Sequence, residues 1–141
     1  MFTVRYVTQA DKAFWYTLDA HLSQGEFEPK VRDGRGYIIL CGALPIGILR
    51  YNLFWDSIPF LTLIFLDERF RGRGAGTMAV RFWESEMRAL GHAMVMTSTQ
   101  VDEAAQHFYR KLGYTDSGAL FLDQTPFDQP LELLMIKILD E

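Results

Sequence analysis

The stretch FLTLIFLDERFRGRGAGTMAVRFW, residues 60–83, joins an apolar run to a segment with helical spacing through three glycines and two arginines. The apolar run at 60–66 predicts a central strand, because strands that are covered on both faces carry continuous apolar residues. Within residues 74–90, apolar side chains recur at the intervals that place them on one face of a helix. The stretch therefore predicts a strand that leads through a glycine-rich turn into a helix.

The glycine turn at residues 71–76 has the properties of an anion-binding site. The first N–H groups of a helix lack partners within the helix, and the helix dipole adds partial positive charge there. Glycines let the backbone curl and let a ligand approach closely, and Arg71 and Arg73 add full charges. A phosphate or pyrophosphate site is predicted, with a flexible turn and solvated arginines as the structural alternative. The turn has neither the ending of a nucleotide P-loop nor the spacing of a dinucleotide fingerprint.

Size and composition restrict the class of protein. The 141 residues suit one domain, 1–141, and the net charge of −4 argues against a nucleic-acid partner. Cys41 is the single cysteine, so an internal disulfide is excluded, and the three histidines show no metal-ligand spacing. Residues 1–15 contain no apolar segment of signal length, and no apolar run is long enough to cross a bilayer. We therefore expect a soluble cytoplasmic protein with no metal, no nucleic-acid partner and no membrane contact.

The remaining pattern predicts an α/β protein with a mixed sheet. Strands are predicted at 3–7, 36–41, 46–55, 60–66, 93–98, 114–122 and 131–139, and helices from Ala10 to a stop at Gly25, within 24–35, at 74–90 and from Asp102 to Gly113. Successive strands predict antiparallel pairs, and the helix between 60–66 and 93–98 predicts a crossover and a parallel pair. Helices on both faces of the sheet are the natural packing.

A second motif, AAQHFYRKLGY at residues 104–114, resembles the last helix of the GCN5-related N-acetyltransferases, the GNAT superfamily. The Arg-x-x-Gly-x-Gly turn at 71–76 resembles the pyrophosphate loop of that family, and the two motifs have the family's order and separation. The resemblance is good over about residues 36–122. It implies the GNAT fold, with a mostly antiparallel mixed sheet whose central parallel strands splay apart.

The resemblance also implies how the chain binds acetyl-CoA. The turn amides would hold the pyrophosphate, and the backbone of the preceding strand would pair with pantetheine. Asp102 stands where the family often has asparagine, and capping a helix is an equally good role for it. The expected cofactor-binding residues are Phe65, Leu66, Arg71, Gly72, Arg73, Gly74, Ala75, Gly76, Thr77 and Asp102.

By the same resemblance, Tyr109 would be the catalytic residue that protonates the departing CoA thiolate, whereas its structural alternative is a core tyrosine. A backbone N–H near Leu66 would stabilise the oxyanion. The strand at 60–66 has no carboxylate that could act as the base. Asp56, Glu26, Glu28 or a water relay are the open alternatives.

The resemblance thus implies an N-acetyltransferase that moves an acetyl group from acetyl-CoA to a primary amine by direct attack in a ternary complex. The amine could belong to a small molecule or to a protein. A non-catalytic acyl-CoA-binding sensor and a module for another phosphorylated ligand are the alternative functions. The strand at 131–139 is apolar enough to support a homodimer, and it equally suits an internal position in the sheet.

Overall fold

The structure is a computed structural model that describes residues Met1–Leu139. Over these residues, seven strands and four helices follow the predicted order. They are β1 (Phe2–Tyr6), α1 (Lys12–Leu18), α2 (Phe27–Asp33), β2 (Gly36–Cys41), β3 (Leu44–Phe54), β4 (Ile58–Leu66), α3 (Ala75–Ala89), β5 (Met94–Gln100), α4 (Ala105–Lys111), β6 (Thr115–Leu120) and β7 (Glu132–Ile138). Short 3-10 turns precede α1, α2 and α3.

The strands form a mixed sheet in the order β1-β2-β3-β4-β5-β7-β6. The pairs β1–β2, β2–β3, β5–β7 and β6–β7 are antiparallel, whereas β4 and β5 run parallel. Both the mostly antiparallel sheet and its single predicted parallel pair are thereby confirmed. The parallel register joins Phe60 to Met96 and Leu61 to Thr97, and the splay beyond these residues stays a prediction.

The chain divides into two compact units. The first comprises Met1–Asn52 and Thr62–Glu86, and the second comprises Leu53–Leu61 and the described chain from Met87 onward. One domain over residues 1–141 therefore stays a prediction.

In the first unit, neighbouring residues of β2 face different helices. Ile38 packs in a buried cluster with Trp15 of α1. Tyr37, one position earlier, makes an edge-to-face contact with Phe82 of α3, with ring centroids 6.1 Å apart. Because successive side chains of a strand point to opposite sides, α1 and α3 cover opposite faces of β2. The prediction of helices on both faces is confirmed here.

Helix α1 is shorter than predicted, since it ends at Leu18 and does not continue to Gly25. Asp19, at its end, has extended backbone, and its Oδ1 accepts hydrogen bonds from the N–H groups of His21 (3.0 Å) and Leu22 (3.1 Å). An aspartate that bonds the backbone ahead of it competes with the helical hydrogen bonds. This side chain ends the helix, although the apolar spacing continues beyond it.

Helix α4 begins at Ala105 with Ala104 as its N-cap, so the predicted start at Asp102 is wrong. Strand β5 continues to Gln100, and a turn follows in which the N–H of Glu103 donates to the carbonyl of Gln100 at 3.0 Å. This turn uses the residues that were expected to open the helix. Gly113 closes α4 as predicted, with a φ of 99°.

Candidate active site

The glycine turn lies in the first unit, directly before α3. Gly72 and Gly74 have φ values of 77° and 88°, which side-chain-bearing residues rarely adopt. A Cβ added at either position would meet no atom within 4 Å, so the surface of the turn is open. The turn therefore combines a backbone that needs glycine with free space above it.

The N–H groups of residues 72–77 donate no hydrogen bond to any group within Met1–Leu139. The amide of Met78 is the first to be used, and it donates to the carbonyl of Gly74 at 3.0 Å. Six successive donors thus remain for a ligand at a helix N-terminus that also carries the dipole's positive end. Pyrophosphate binding at this turn stays a prediction, and these free donors are the kind of group that it requires.

Arg71 is held at the end of β4 rather than being fully solvated. Its Nε donates to the carbonyl of Leu66 at 3.1 Å, and its guanidinium lies 4.9 Å from the centre of the Phe65 ring. Arg73 lies over the ring of Phe70 at 5.3 Å. The two charges beside the turn are therefore positioned by local contacts.

The end of β4, where Phe65 and Leu66 were expected to pair with pantetheine, packs closely on β3. A Cβ added to Gly47 would lie 2.6 Å from Leu66 Cδ2 and 3.0 Å from the Phe65 carbonyl oxygen. The N–H of Asp67 donates to the carbonyl of Ile46 at 2.7 Å. Gly47 is thus what permits the backbone of β4 to take its place here.

Tyr109 lies in the second unit, on α4, and 6% of its surface is exposed. Burial raises its pKa to about 12, while a hydrogen bond with Thr97 acts in the opposite direction. The Thr97 hydroxyl donates to the carbonyl of Leu61 at 3.0 Å, so the tyrosine is linked through Thr97 to the start of β4. Its ring also makes an edge-to-face contact with Tyr114 at 5.4 Å.

The profile of the GNAT acetyltransferase family matches residues 4–114, which is more than half of the chain. The chain belongs to the GNAT family of acetyltransferases. It is an acetyltransferase by family, and the resemblance stated for residues 71–76 and 104–114 is confirmed. A search of curated protein sequences found no match.

Solved structures show the same fold at low sequence identity. Ard1 from Thermoplasma volcanium is 20% identical with a TM-score of 0.86, and 99% of each chain is covered. The ribosomal-protein-S18-alanine N-acetyltransferase from Escherichia coli is 15% identical with a TM-score of 0.81, covering 100% of this chain and 96% of that one. The N-acetylglutamate synthase from Neisseria gonorrhoeae, complexed with coenzyme A and N-acetyl-glutamate, is 10% identical with a TM-score of 0.79, covering 100% and 36%.

The other predicted residues of this GNAT chain lie on the surface. Asp102 is exposed in the turn before α4. Glu26 and Glu28 are exposed around the start of α2, and Asp56 is exposed in the β3–β4 turn with a φ of 57°. None of the three carboxylates is singled out as the base. Within Met1–Leu139, no group of His, Cys, Asp and Glu side chains is arranged to hold a metal ion.

The sequence reasoning gave no role to Thr97 and Arg50, which are two of the five buried polar residues among those described. Thr97, between Leu61 and Tyr109, stands in the strand AMVMTS with nothing to distinguish it from an ordinary strand threonine. Arg50 is bonded to Asp19, at the end of α1. The sequence did contain a signal for Arg50, because Arg50 and Asn52 are alternate polar residues in the apolar strand IGILRYNLFW.

No helix among the described residues is long and apolar enough to span a membrane.

Proposed function

We propose that this chain transfers the acetyl group of acetyl-CoA to a primary amine in a ternary complex. The observation that carries the proposal is the row of unpartnered N–H groups at residues 72–77, beside Arg71 and Arg73. In the reaction, the amine nitrogen forms a bond to the thioester carbonyl carbon and the carbon–sulfur bond breaks. An ammonium acceptor gives up two protons, of which the CoA sulfur takes one and solvent takes the other.

Residues 65–77 supply the cofactor contacts in this proposal. The amides of residues 72–77 bind the pyrophosphate, with the Thr77 hydroxyl beside them, and the backbone of Phe65 and Leu66 bonds the pantetheine amides as an added strand would. A backbone N–H near Leu66 stabilises the oxyanion as the carbonyl becomes tetrahedral. The Neisseria synthase, which was solved with coenzyme A, supports the view that this fold accommodates the cofactor.

Tyr109 supplies the acid. We propose that its hydroxyl donates its proton to the departing sulfur and that the resulting tyrosinate regains one of the protons that the amine gives up. Since burial raises the pKa of Tyr109 to about 12, the phenol keeps its proton at neutral pH until the thiolate forms. Asp102 is the proposed additional contact to the cofactor. Asp56, Glu26, Glu28 or a water relay serves as the base.

A second candidate function is a non-catalytic acyl-CoA sensor. Strand β4, from Ile58 to Leu66, contains no carboxylate, and this observation favours the sensor over an enzyme with a base on that strand. Cytoplasmic location, one domain over residues 1–141 and a homodimer are further proposals from the sequence. Strand β7 is paired on both edges, with β5 and β6, so it has the internal position in the sheet that the sequence also allowed.

Two measurements test the proposed function. Calorimetry with coenzyme A, ATP and NAD is expected to show binding of coenzyme A alone at micromolar concentrations. A library of amines with acetyl-CoA is expected to include acceptors that cause free thiol release above the rate of hydrolysis. Coenzyme A binding without thiol release from any amine favours the sensor, and tighter binding of ATP or NAD contradicts both functions.

A further inference from the structure

Arg50 of β3 is a buried cation with an unused end. Only 8% of its surface is exposed, and its Nε donates to Asp19 Oδ2 at 2.8 Å. Within Met1–Leu139 this is the only hydrogen bond or ion pair that Arg50 makes. The terminal amino groups of the guanidinium, which carry most of its N–H donors, therefore have no partner among residues 1–139.

Asp19 has no capacity left to pair with that end. Its Oδ2 accepts from Trp15 Nε1 at 3.0 Å as well as from Arg50, and its Oδ1 accepts from the N–H groups of His21 and Leu22. A carboxylate accepts about four hydrogen bonds, so Asp19 is saturated. Arginine and carboxylate commonly form a two-bonded fork, whereas Asp19 holds Arg50 only through Nε. The contact orients the guanidinium and leaves its forked end available.

A second cation lies nearby and is bonded to a neutral group. Lys30 of α2 donates from Nζ to the carbonyl of Tyr51 at 2.8 Å. Burial lowers the pKa of Lys30, and the charges of Arg50 and Arg35 lower it further.

Acidic residues also lie near Lys30. Burial is the largest cause of its lowered pKa, and Glu26 and Asp33 act in the opposite direction. Asp33 is itself paired with Arg32, at 3.0 Å. Lys30 thus brings a second positive charge near Arg50, and within Met1–Leu139 no carboxylate is bonded to it.

We propose that Arg50 and Lys30 form a subsite for a carboxylate of the acceptor, so that the acceptor is an amine that also carries a carboxylate, such as an amino acid or a short peptide. The inference rests on the proposed function and names its substrate class. The guanidinium fork matches the two oxygens of a carboxylate, and the contact is strengthened because Arg50 is only 8% exposed and little water competes for it. Asp19 fixes the orientation in advance, which reduces the entropy lost on binding.

The subsite lies in the first unit and is close to β4. Asn52 follows Arg50 by two residues and so lies on the same side of β3. Its side-chain oxygen accepts a hydrogen bond from the hydroxyl of Thr62 in β4. Arg50 is therefore one strand away from the strand whose end, at Phe65 and Leu66, is proposed to bind pantetheine.

The first test uses the unaltered chain and pairs of acceptors that differ only in a carboxylate or its carboxamide. Thiol release from acetyl-CoA is expected to show kcat/KM about 10- to 100-fold higher for the carboxylate member, the range typical of charge-assisted hydrogen bonds. Equal use of the two members, or preference for the carboxamide, overturns the inference while leaving the proposed function intact.

Binding of the product separates the two proposals. An N-acetyl amino acid and its carboxamide are titrated by calorimetry in the presence of coenzyme A, which needs no turnover. Tighter binding of the carboxylate supports the subsite even where no amine gives thiol release. Equal binding overturns the subsite even where turnover is found.

Variants test whether the preference for a carboxylate depends on Arg50 and Lys30. Arg50→Lys keeps a positive charge but loses the fork, and is expected to raise KM for the carboxylate acceptor about tenfold with little change in coenzyme A affinity. Lys30→Gln, at a half-exposed position bonded to a neutral carbonyl, reports on the subsite even if Arg50→Lys does not fold. Arg81→Gln, at an exposed position of α3, is the control and should leave the ratio of kcat/KM for the carboxylate to that for the carboxamide unchanged. An unchanged carboxylate-to-carboxamide ratio in a folded Lys30→Gln or Arg50→Lys overturns the assignment.

Discussion

Replacement of Tyr109 by phenylalanine separates a catalytic tyrosine from a core tyrosine. The change removes one hydroxyl from a side chain that is 6% exposed and leaves its ring contacts in place. Thr97 keeps its own hydrogen bond to the Leu61 carbonyl at 3.0 Å, so no buried hydroxyl loses all its partners. The free energy of unfolding should therefore fall by only about 1 kcal/mol, the typical net value of one hydrogen bond.

Turnover should fall far more than stability. A positioned general acid contributes about 100- to 10,000-fold to rate, so kcat for thiol release is expected to fall by that factor in Tyr109→Phe. The Kd for coenzyme A should change by less than about twofold, because the pyrophosphate contacts lie on residues 72–77. Since the pKa of Tyr109 is raised to about 12, loss of its proton should not lower kcat of the unaltered chain below about pH 10.

Tyr114→Phe is the matched control, because Tyr114 is also buried and its ring contacts that of Tyr109. It should lower stability by a similar amount without the large loss of turnover. The assay is single-turnover and steady-state thiol release beside urea denaturation of each variant. If Tyr109→Phe keeps kcat within about threefold, or if kcat falls no further than in Tyr114→Phe, the tyrosine is a core residue and the proposed acid role is refuted.

Three further predictions concern packing, pH and charge. Gly47→Ala should lower the free energy of unfolding by about 1–3 kcal/mol in urea denaturation, because its Cβ would lie within 3.0 Å of β4 atoms, whereas Gly25→Ala, with no atom within 4 Å, should change it little. Burial alone would raise the pKa of Asp19, but the hydrogen bonds from Arg50 and the backbone lower it below 3.8. The resulting stability is present above about pH 4 and is lost as pH falls through the lowered pKa, so Tm should drop there in the unaltered chain and less in Asp19→Asn. Arg73→Gln should weaken coenzyme A binding roughly threefold to tenfold in calorimetry at low salt, and an equal affinity would contradict a charge role at the turn.

Much of the fold could be read from local sequence, because each element depends on spacing within itself. The strand at 60–66, the glycine turn and the helix after it need no distant partner, and they lie where predicted. The errors in helix boundaries arose where hydrogen bonds outside the helix redirected the backbone. Asp19 ends α1 through hydrogen bonds to the next turn, and the turn at Gln100–Glu103 delays the start of α4. In both places the apolar spacing carries no information about the hydrogen bonds that decide where the helix ends or begins.

The candidate site was likewise predictable only in part. The donors at residues 72–77 are backbone groups at a helix start, and the sequence shows where a helix starts after glycines. Thr97 could not be predicted, because its role depends on the carbonyl of Leu61, 36 residues earlier, and on the placement of Tyr109. Periodicity gives the face of a strand on which a residue lies, but not which group of another strand or helix it meets.

The burial of Arg50 could be predicted from the sequence, but its partner could not. An arginine within the apolar strand at 46–55 indicates that a charge enters a largely buried face, and a buried charge requires a partner. The sequence could not identify Asp19 as that partner, since 31 residues separate the two. Once the structure shows that Asp19 is saturated, the same physical rule requires a second partner for the remaining N–H donors, or solvent in its place. Exchange of that solvent for a carboxylate would be favourable, so the acceptor's charge becomes predictable from a residue that the family motifs do not include.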